Sequence, residues 1–375
     1  MKTLCCTLAR VIFVILLLFT AVTVTRAATI VVTTTIQAAV DGAQPGDTIF
    51  VPNGTYFESV KVTKNGISIV GSQRAVIDAG NQIGIRVGIG SRTTVDGVRL
   101  CPSIGLHNFT LRGLTIRNAK IAAVFLIGVQ GYHLTGTRYF DDPVYGPFPV
   151  CSRDGLIDDN YLVGGNSSGL DQGIDAGIYV GDSNNATVKN NFVTNYAVGV
   201  EIENTANAVV KDNILSQNTG GITVIVLPGL NNPFSDNILI EHNLVLQNNL
   251  PNPVPFDPSP DGDPLGNLPT GSGIVNLGGH RVVIRYNTVI GNNSLGVAIG
   301  QNPFAFLDPR IDPNPDHNEV RDNLFLSNGR QPDPVRSITP GADIIYDATG
   351  VGTCFRGNIF RSEFPSGITT AFRCS

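Results

Sequence analysis

The chain has 375 residues, 42 glycines, no tryptophan and a formal net charge of −5 at pH 7. The acidic balance excludes a nucleic-acid-binding protein, because phosphate recognition needs a net basic surface. A hydrophobic fraction of 42% excludes a disordered chain, and together with the many glycines it is typical of a turn-rich all-β protein.

Residues 1–27 have the pattern of a secretory signal peptide. Lys2 and Arg10 give a positive start, an apolar run extends from Val11 to Thr20, and a small-residue cleavage site follows. Because the run is shorter than the roughly 20 residues of a membrane span, we expect cleavage, no membrane span in the mature chain, and a secreted or periplasmic protein. Cleavage removes three basic residues and no acidic one, which takes the net charge from −5 to −8.

The first predicted element of the mature chain is an amphipathic helix over residues 33–47, followed by a strand at 48–51. The residues on its apolar face are Ile36, Ala39, Val40 and Ala43. Since a repeat protein must cover its open apolar end, we interpret this helix as an N-terminal cap.

From residue 67 onward, short strands recur at a regular interval. Gly177, Gly199 and Gly221 begin successive strands 22 residues apart, and this period predicts a solenoid whose coils bury their apolar faces against each other. The Val/Ile-rich strands favour a right-handed parallel β-helix over leucine-rich repeats. Six of the strands end in a polar turn with an asparagine in the same place, namely Asn191, Asn213, Asn243, Asn287, Asn323 and Asn358.

Alternation along the strands assigns side chains to the inside or the outside of the coil. One predicted inward column is Ile178, Val200, Ile222, Ile274 and Val297, and a second is Val180, Ile202, Val224 and Ile299, interrupted by Asn276. The predicted outward columns are Tyr179, Glu201, Thr223, Val275, Ala298 and Gly181, Glu203, Ile225, Leu277, Gly300. Because coils repeat about every 4.8 Å, equivalent side chains are expected almost directly above one another.

The repeated asparagines are interpreted as structural. Each carries an amide donor and a carbonyl acceptor, so stacked copies can hydrogen-bond to the copies above and below and to turn backbone. Asparagine also tolerates the left-handed conformation that tight corners require.

Three stretches interrupt the strand rhythm, near residues 130–150, 249–270 and 302–318. We predict that they leave the coil as loop insertions. Such loops either flank a binding surface or are passive surface segments.

Four cysteines remain after signal cleavage: Cys101, Cys151, Cys354 and Cys374. An even number in an exported chain predicts two disulfides, and we prefer the pairing Cys101–Cys151 and Cys354–Cys374 among the three possible ones. The Cys-x-x-Cys spacing of zinc sites does not occur, and the sequence assigns no metal ligands.

Residues 36–56 resemble the capping helix and first strand of pectin-lyase-like right-handed parallel β-helix proteins. Segments 175–182, 199–204 and 219–230 resemble a bacterial exported parallel β-helix family of poorly defined function, and the resemblance covers most of residues 33–375. The superfamily includes pectate and alginate lyases, polygalacturonases and mannuronan C5-epimerases, most of which act on acidic polysaccharides. The resemblance implies one β-helix domain over residues 28–375 and a polysaccharide partner, and we expect a monomer.

An acidic group on one outward face is the strongest candidate for chemistry. Tyr179, Glu201 and Glu203 are candidate catalytic residues, because paired carboxylates can act as acid and base or bind a hard cation such as Ca²⁺. The substrate-binding candidates near them are Asp171, Asp175 and Asp182. The alternative is a solvated acidic surface without a binding role.

Lyase and epimerase chemistry needs a base and a cation beside the substrate carboxylate. The candidate bases are Tyr179, His133, His280 and His317, and the candidate cations are Arg138, Arg153, Arg281 and Lys189. His280 and Arg281 enter the catalytic set because Gly279-His280-Arg281 partly resembles the Gly-His-Gly motif of polygalacturonases. The complete motifs of the polygalacturonases and epimerases do not occur.

Two functions stay open from the sequence. One is a secreted enzyme, a lyase or C5-epimerase on a uronate-containing glycan or a glycoside hydrolase-like protein. The other is a non-catalytic glycan-binding or envelope-associated β-helix. Because an acidic face repels an acidic glycan, this face favours a calcium-bridged site, a neutral sugar or no catalysis.

Overall fold

The computed structural model describes residues 27–142, 144–165, 175–259 and 262–375. Residues 1–26 of the predicted signal peptide and the predicted site residue Asp171 lie outside the described residues. In the described parts, successive strands join three long parallel sheets in turn, one strand to each sheet per coil. The architecture is the predicted right-handed parallel β-helix.

The three sheets are named here in the order in which the chain enters them. The strands of the first sheet are Thr29–Val31, Thr48–Val51, Ser68–Gly71, Leu106–Arg112, Val129–Thr135, Arg153–Asp158, Asn184–Lys189, Val209–Lys211, Asp236–Glu241, His280–Arg285, Glu319–Arg321 and Cys354–Arg356. Those of the second sheet are Gly54–Phe57, Ala75–Asp78, Thr115–Arg117, Arg138–Asp142, Tyr161–Gly164, Phe192–Thr194, Ile214–Ser216, Leu244–Leu246, Thr288–Ile290 and Leu324–Leu326. Those of the third sheet are Val60–Val62, Ile85–Val87, Ala122–Ile127, Tyr145–Val150, Ala176–Gly181, Val198–Glu203, Gly220–Ile225, Ser272–Leu277, Leu295–Gly300, Ala342–Tyr346 and Glu363–Phe364.

Other regular elements are short. An antiparallel pair, Thr93–Val95 and Val98–Leu100, lies outside the three sheets. The α-helices are Ile36–Gly42 and Ile368–Ala371, and the 3₁₀ helices are Pro264–Asn267 and Ala305–Leu307. Within the described ranges, none of the helices has the length and apolarity needed to cross a membrane.

The N-terminal helix is shorter than predicted, because it spans Ile36–Gly42 rather than residues 33–47. It begins where the Thr35 side chain accepts a hydrogen bond from the backbone N–H of Ala38. It ends at Ala43, whose backbone is extended, before a turn held by the Asp47 carboxylate, which accepts from the backbone N–H of Gln44. Ile36 and Val40 are buried in the main core.

The core is the space enclosed by the three sheets. The predicted inward columns pair across the third sheet in the predicted register, with Ile178 opposite Val200 and Val180 opposite Ile202. These side chains are fully buried. Asn276 is buried as well, and its amide group exchanges hydrogen bonds with the backbone of Gly279, so the polar interruption in the second column is satisfied.

The asparagine ladder is confirmed at the corner between the first and second sheets. The Asn191 side chain donates to Oδ1 of Asn213 at 3.0 Å, and that of Asn213 donates to Oδ1 of Asn243 at 3.0 Å. Each also bonds to backbone, as where Asn213 Nδ2 donates to the Val188 carbonyl at 3.0 Å. The ladder runs through Asn160, Asn191, Asn213, Asn243, Asn287, Asn323 and Asn358.

The expectation that these asparagines adopt the left-handed conformation is wrong. The left-handed residue is the one before each of them, as with Asp212, His242 and Tyr286, each with φ of 55°. A ladder asparagine is thereby free to direct its side chain along the stack. His242 and Tyr286 are neighbours in this column and stack their rings at 5.2 Å.

A second ladder, not predicted from the sequence, lies at the corner between the second and third sheets. Asn218 donates to Asn248 at 2.9 Å and Asn292 to Asn328 at 3.0 Å, and the column ends on Asp343. Its members follow the second-sheet strands by two residues, as Asn218 follows Ser216. The signal in the sequence is a second asparagine five residues after the first in four successive repeats, at Asn218, Asn248, Asn292 and Asn328.

The prediction of a loop insertion near residues 130–150 is wrong, since this stretch forms a complete coil. It supplies Val129–Thr135, Arg138–Asp142 and Tyr145–Val150 to the three sheets. The strand Tyr145–Val150 contains Pro147 and Pro149, although proline cannot donate a ladder hydrogen bond. They fit here because the strand pairs fully with the preceding strand, Ala122–Ile127, but only at Val150 with the following one.

Candidate functional site

The outward face of the third sheet brings the predicted acidic residues together. Tyr179 lies opposite Glu201, and Gly181 opposite Glu203. Glu201 in turn lies opposite Thr223 and Glu203 opposite Ile225. The outward columns therefore have the predicted register.

This face is covered, contrary to the expectation that it is open to solvent. Tyr179, Glu201 and Glu203 are only 5%, 4% and 7% exposed. The connection between Leu246 and Ser272 contributes to the cover, because its apolar residues pack into one cluster with Tyr179 and Val275. Those residues are Val254, Leu265 and Leu268. A sequence alternates in the same way whether its outward face meets water or a loop, so the cover could not be predicted from the strands.

Aromatic side chains from preceding coils adjoin the acidic residues. The Tyr145 and Phe148 rings stack with centroids 4.1 Å apart, and Phe148 meets the Tyr179 ring edge-on at 4.7 Å. Phe125 lies 5.4 Å from Phe148. Tyr145 and Phe148 were missed as site residues because they fell in the stretch read as a loop.

Two tyrosines donate hydrogen bonds to the carboxyl groups. The Tyr179 hydroxyl donates to Oε1 of Glu203, and the Tyr145 hydroxyl donates to Oδ2 of Asp175. Asp175 is half-buried, and Oδ1 of its carboxyl group is buried without a hydrogen-bond partner among the described residues.

The environment keeps protons on these acids. Burial raises the pKa of Asp175 and that of Glu203 to about 7 in each case. Burial, with the negative charge of Asp175 next in size, raises the pKa of Glu201 well above its ordinary value. The Asp263 carboxylate, on the covering connection, adds to the shift at Asp175 and Glu201. At neutral pH the cluster therefore holds both ionised and protonated carboxyl groups.

These shifts predict a stability that falls with rising pH. Since the folded pKa values lie above the unfolded ones, the native state binds more protons between about pH 4 and 7, and its free energy of unfolding decreases across that range. Glu203→Gln should flatten the profile and be about 2–3 kcal/mol more stable than wild type at pH 8, with little difference at pH 4. Urea unfolding at a series of pH values measures this.

The control is Asp212→Asn, which removes an exposed carboxylate at a first-sheet corner. Its unfolding profile should run parallel to that of wild type. If the Glu203→Gln profile is also parallel to wild type, the carboxyl group of Glu203 does not titrate as described.

Asp182, predicted to bind substrate, instead anchors two loops. Its buried carboxylate accepts hydrogen bonds from Arg92 at 2.8 Å and from the backbone N–H groups of Asn231 and Asn232 at 3.3 and 2.8 Å. Burial raises the pKa of Asp182, against the lowering effect of these donors. With its oxygens occupied in this way, Asp182 is a positioning residue.

The two expected disulfides are present, Cys101–Cys151 and Cys354–Cys374. The first joins the loop after the antiparallel pair to the end of Tyr145–Val150. The pair and this loop also contact the 226–235 connection, because the backbone N–H of Arg99 donates to the Gly229 carbonyl at 2.8 Å and that of Cys101 to Oδ1 of Asn231 at 3.3 Å. The disulfide thus ties the loop at Cys101 to a third-sheet strand, and Asp182 ties Arg92 to the 226–235 connection.

His280 and Arg281 do not join the acidic cluster. They begin a strand of the first sheet, and they line a separate surface cleft of about 290 Å³ with Phe234, Asp236 and Arg310. Arg281 forms an ion pair with Asp236. The prediction that His280 and Arg281 act beside Tyr179 is therefore wrong, since strand alternation gave no information on corner residues.

A second cleft, of about 230 Å³, lies next to the first. Phe234 borders both clefts, and the second is also lined by Arg153, Asn184 and Asn231. Both clefts follow the corner between the third and first sheets. Neither is lined by Glu201 or Glu203.

The other candidate bases and cations lie elsewhere. His133 bonds to Asp158 at 2.8 Å on the first sheet, and Lys189 lies 3.8 Å from the same carboxylate. The backbone N–H of His317 donates to the Val351 carbonyl in a connection near the C-terminal end. None of the three lies on the strands that carry Tyr179, Glu201 and Glu203.

Among the described residues, the side chains close enough to share a metal ion are Cys101, Cys151 and Asp182. They do not fit one, because the two sulfurs form a disulfide and the carboxylate pairs with Arg92. Calcium binding by Glu201 and Glu203 would have to displace the protons that burial keeps on them.

Comparisons with known proteins agree with the fold. The family described as right handed beta helix region matches residues 103–250. None of the curated proteins compared with the chain matches it.

Solved structures with this fold come from several bacteria and a phage. The chain is 14% identical to an alginate lyase from Paenibacillus sp. str. FPU-7, with a TM-score of 0.53, covering 88% of this chain and 98% of that one. It is 12% identical to a family 28 exopolygalacturonase of Yersinia enterocolitica, with a TM-score of 0.62, covering 89% and 71%. It is 14% identical to a mutant tailspike protein of E. coli bacteriophage HK620 in complex with a pentasaccharide, with a TM-score of 0.61, covering 88% and 59%. At such identities the likeness is one of fold.

Proposed function

We propose that this chain, a right-handed parallel β-helix of the pectin-lyase-like superfamily, cleaves a polysaccharide by acid–base chemistry at Asp175, Glu201 and Glu203. The observation that carries the proposal is the pair of buried glutamates on one strand, in which Glu201 lies two residues before a Glu203 that accepts from Tyr179. Acids that are partly protonated near neutral pH can both give and take a proton, which cleavage of a glycosidic bond requires.

The placement of the two glutamates suits hydrolysis. Glu201 and Glu203 are two residues apart on one strand and face the same side, which separates their Cβ atoms by about 7 Å. Glycosidases use carboxyl pairs roughly 5–9.5 Å apart. Glu201, which keeps its proton, donates it to the leaving glycosidic oxygen as the C–O bond breaks. Ionised Glu203 takes a proton from the water that attacks the anomeric carbon.

The charge of the cluster favours a neutral substrate. Glu201 keeps its proton, but the ionised fraction of Asp175 and Glu203, with Asp263, makes this face negative, and a negative face repels a uronate polymer unless cations intervene. The tyrosine and phenylalanine rings beside the carboxyl groups offer apolar surface for a sugar ring. The two disulfides and the N-terminal segment support an exported protein that meets such polymers outside the cytoplasm.

A screen of neutral and uronate polysaccharides tests the proposal. We expect new reducing ends from a neutral polymer, with activity rising as pH approaches about 7 because Glu203 must be ionised. Absorbance of unsaturated ends and NMR of the uronate residues are followed in parallel. Unsaturated or epimerised products would show that the protein is a lyase or an epimerase and not a hydrolase. The absence of product from every polymer would contradict the proposal.

A second candidate function is glycan binding without turnover. It is favoured by the burial of Glu201 beneath the covering connection, while the accessible clefts lie at the neighbouring corner. Cleavage requires this cover to open, whereas binding at the corner does not. Retained binding of a polymer that yields no product would establish this function instead.

A further inference from the structure

The cleft at the corner between the third and first sheets combines an exposed aromatic ring with buried polar atoms that lack partners. Phe234 is 42% exposed and borders the cleft. Asp236 and His280 also line it. Oδ1 of Asp236 and Nε2 of His280 are buried and have no hydrogen-bond partner among the described residues. Buried polar atoms are costly to leave unpaired, so two beside one cleft leave hydrogen-bonding capacity for a ligand that draws these side chains toward it.

The arginines of the cleft are already neutralised. Arg281 pairs with Asp236, and Arg310 bonds to both carboxylate oxygens of Asp308, with Nε at 2.9 Å from Oδ1. Arg310 also donates to the Leu230 carbonyl at 2.8 Å, so it joins the 301–318 connection to the 226–235 connection. With their charges compensated, these arginines do not attract an anionic sugar.

We infer that this cleft is a binding subsite for a neutral saccharide unit, with one face of the sugar ring on Phe234 and hydroxyl groups bonded to Asp236 and His280. A pyranose has an apolar C–H face and hydroxyl groups that donate and accept, which matches an aromatic ring beside an acceptor and an imidazole nitrogen. The inference rests on the proposed function only in taking the ligand to be a glycan.

The position of the neighbouring cleft indicates how a longer saccharide chain would be oriented. Arg153 and Asn184 of the second cleft and Asp236 and His280 of the first lie in one column of the first sheet, linked through Ala206. Four coil spacings separate Arg153 from His280, about 19 Å along the axis. Because Phe234 borders both clefts, a saccharide chain that runs parallel to the axis contacts both.

The absence of tryptophan from the chain allows a direct test. Phe234→Trp places a single indole in the cleft, and Phe57→Trp, at another strongly exposed phenylalanine, is the matched control. We expect a saturable change in emission of Phe234→Trp with at least one of the neutral gluco-, manno-, galacto- and xylo-hexasaccharides, and none for Phe57→Trp. No saturable change with any of them, or tighter binding of oligogalacturonate or oligoguluronate, overturns the inference.

A second substitution tests the polar contact. His280→Leu in the Phe234→Trp background should weaken binding about tenfold, the effect of losing one hydrogen bond, whereas His107→Leu, at an exposed histidine, should leave it unchanged. Equal affinities would remove His280 from the subsite. Phe234→Ala in the otherwise native chain should also abolish retardation in native gels that contain the neutral polymer. These binding measurements do not require turnover, so they test the subsite separately from the proposed cleavage of a glycan.

Discussion

Glu201→Gln should lower the rate of glycan cleavage about a thousandfold, within the range for loss of a general acid. Glutamine has the shape of the protonated carboxyl group that burial maintains at this position, but it cannot deliver a proton to the leaving oxygen. The measurement is the release of reducing ends from the polymer that wild type cleaves. Binding at the corner clefts should be unchanged.

The same substitution separates chemistry from folding. Because a neutral amide replaces an acid that is already mostly protonated, Glu201→Gln should be at least as stable as wild type at pH 7. Asp212→Asn serves as the matched control and should retain full activity. A stable Glu201→Gln protein with wild-type turnover would exclude Glu201 as the proton donor.

Asn213→Ala should lower the free energy of unfolding by about 3–5 kcal/mol, because it leaves several buried groups without partners. Asn213 is 1% exposed. Its Oδ1 accepts from both the backbone N–H and Nδ2 of Asn191, and its Nδ2 donates to Val188 and Asn243, each at 3.0 Å. Alanine cannot replace any of these bonds.

Urea unfolding of Asn213→Ala beside Asn184→Ala gives the measurement. Asn184 lies on a neighbouring coil but is exposed, and its loss should cost less than about 0.5 kcal/mol. If the two variants lose equal stability, the ladder contributes no more than surface asparagines do. A larger loss confined to Asn213→Ala shows that the ladder holds adjacent coils in register.

The fold could be predicted because the same chemistry is repeated along the chain. The alternation of apolar and polar residues in one short strand is weak evidence for its position. Apolar residues recur at the same position of successive coils, as at Ile178, Val200 and Ile222, and each copy supports the same period. The ladder could be predicted for the same reason. The second ladder was not predicted, because its asparagines recur in fewer repeats than those of the first ladder.

The site could be predicted only in part. The register of the strands predicts that Tyr179 lies next to Glu201. The connection that covers these side chains has no repeated sequence pattern, so its position could not be predicted. Pro147 and Pro149 were misread, since a proline is tolerated where a parallel strand bonds mainly to one neighbour. The clefts at Phe234 are formed by connections that are distant in sequence, so no local sequence pattern predicts them.

The C-terminal tail covers the final edge of the first sheet. After the last strand of the first sheet, the tail turns back: the backbone N–H of Phe355 donates to the Phe372 carbonyl, and that of Cys374 donates to the Phe355 carbonyl, both within reach of the Cys354–Cys374 bridge. Identical coils have no intrinsic limit, and an unpaired final edge would template strands of another copy. By occupying that edge with its own backbone, the chain denies it to other copies and opposes end-to-end polymerisation into fibres.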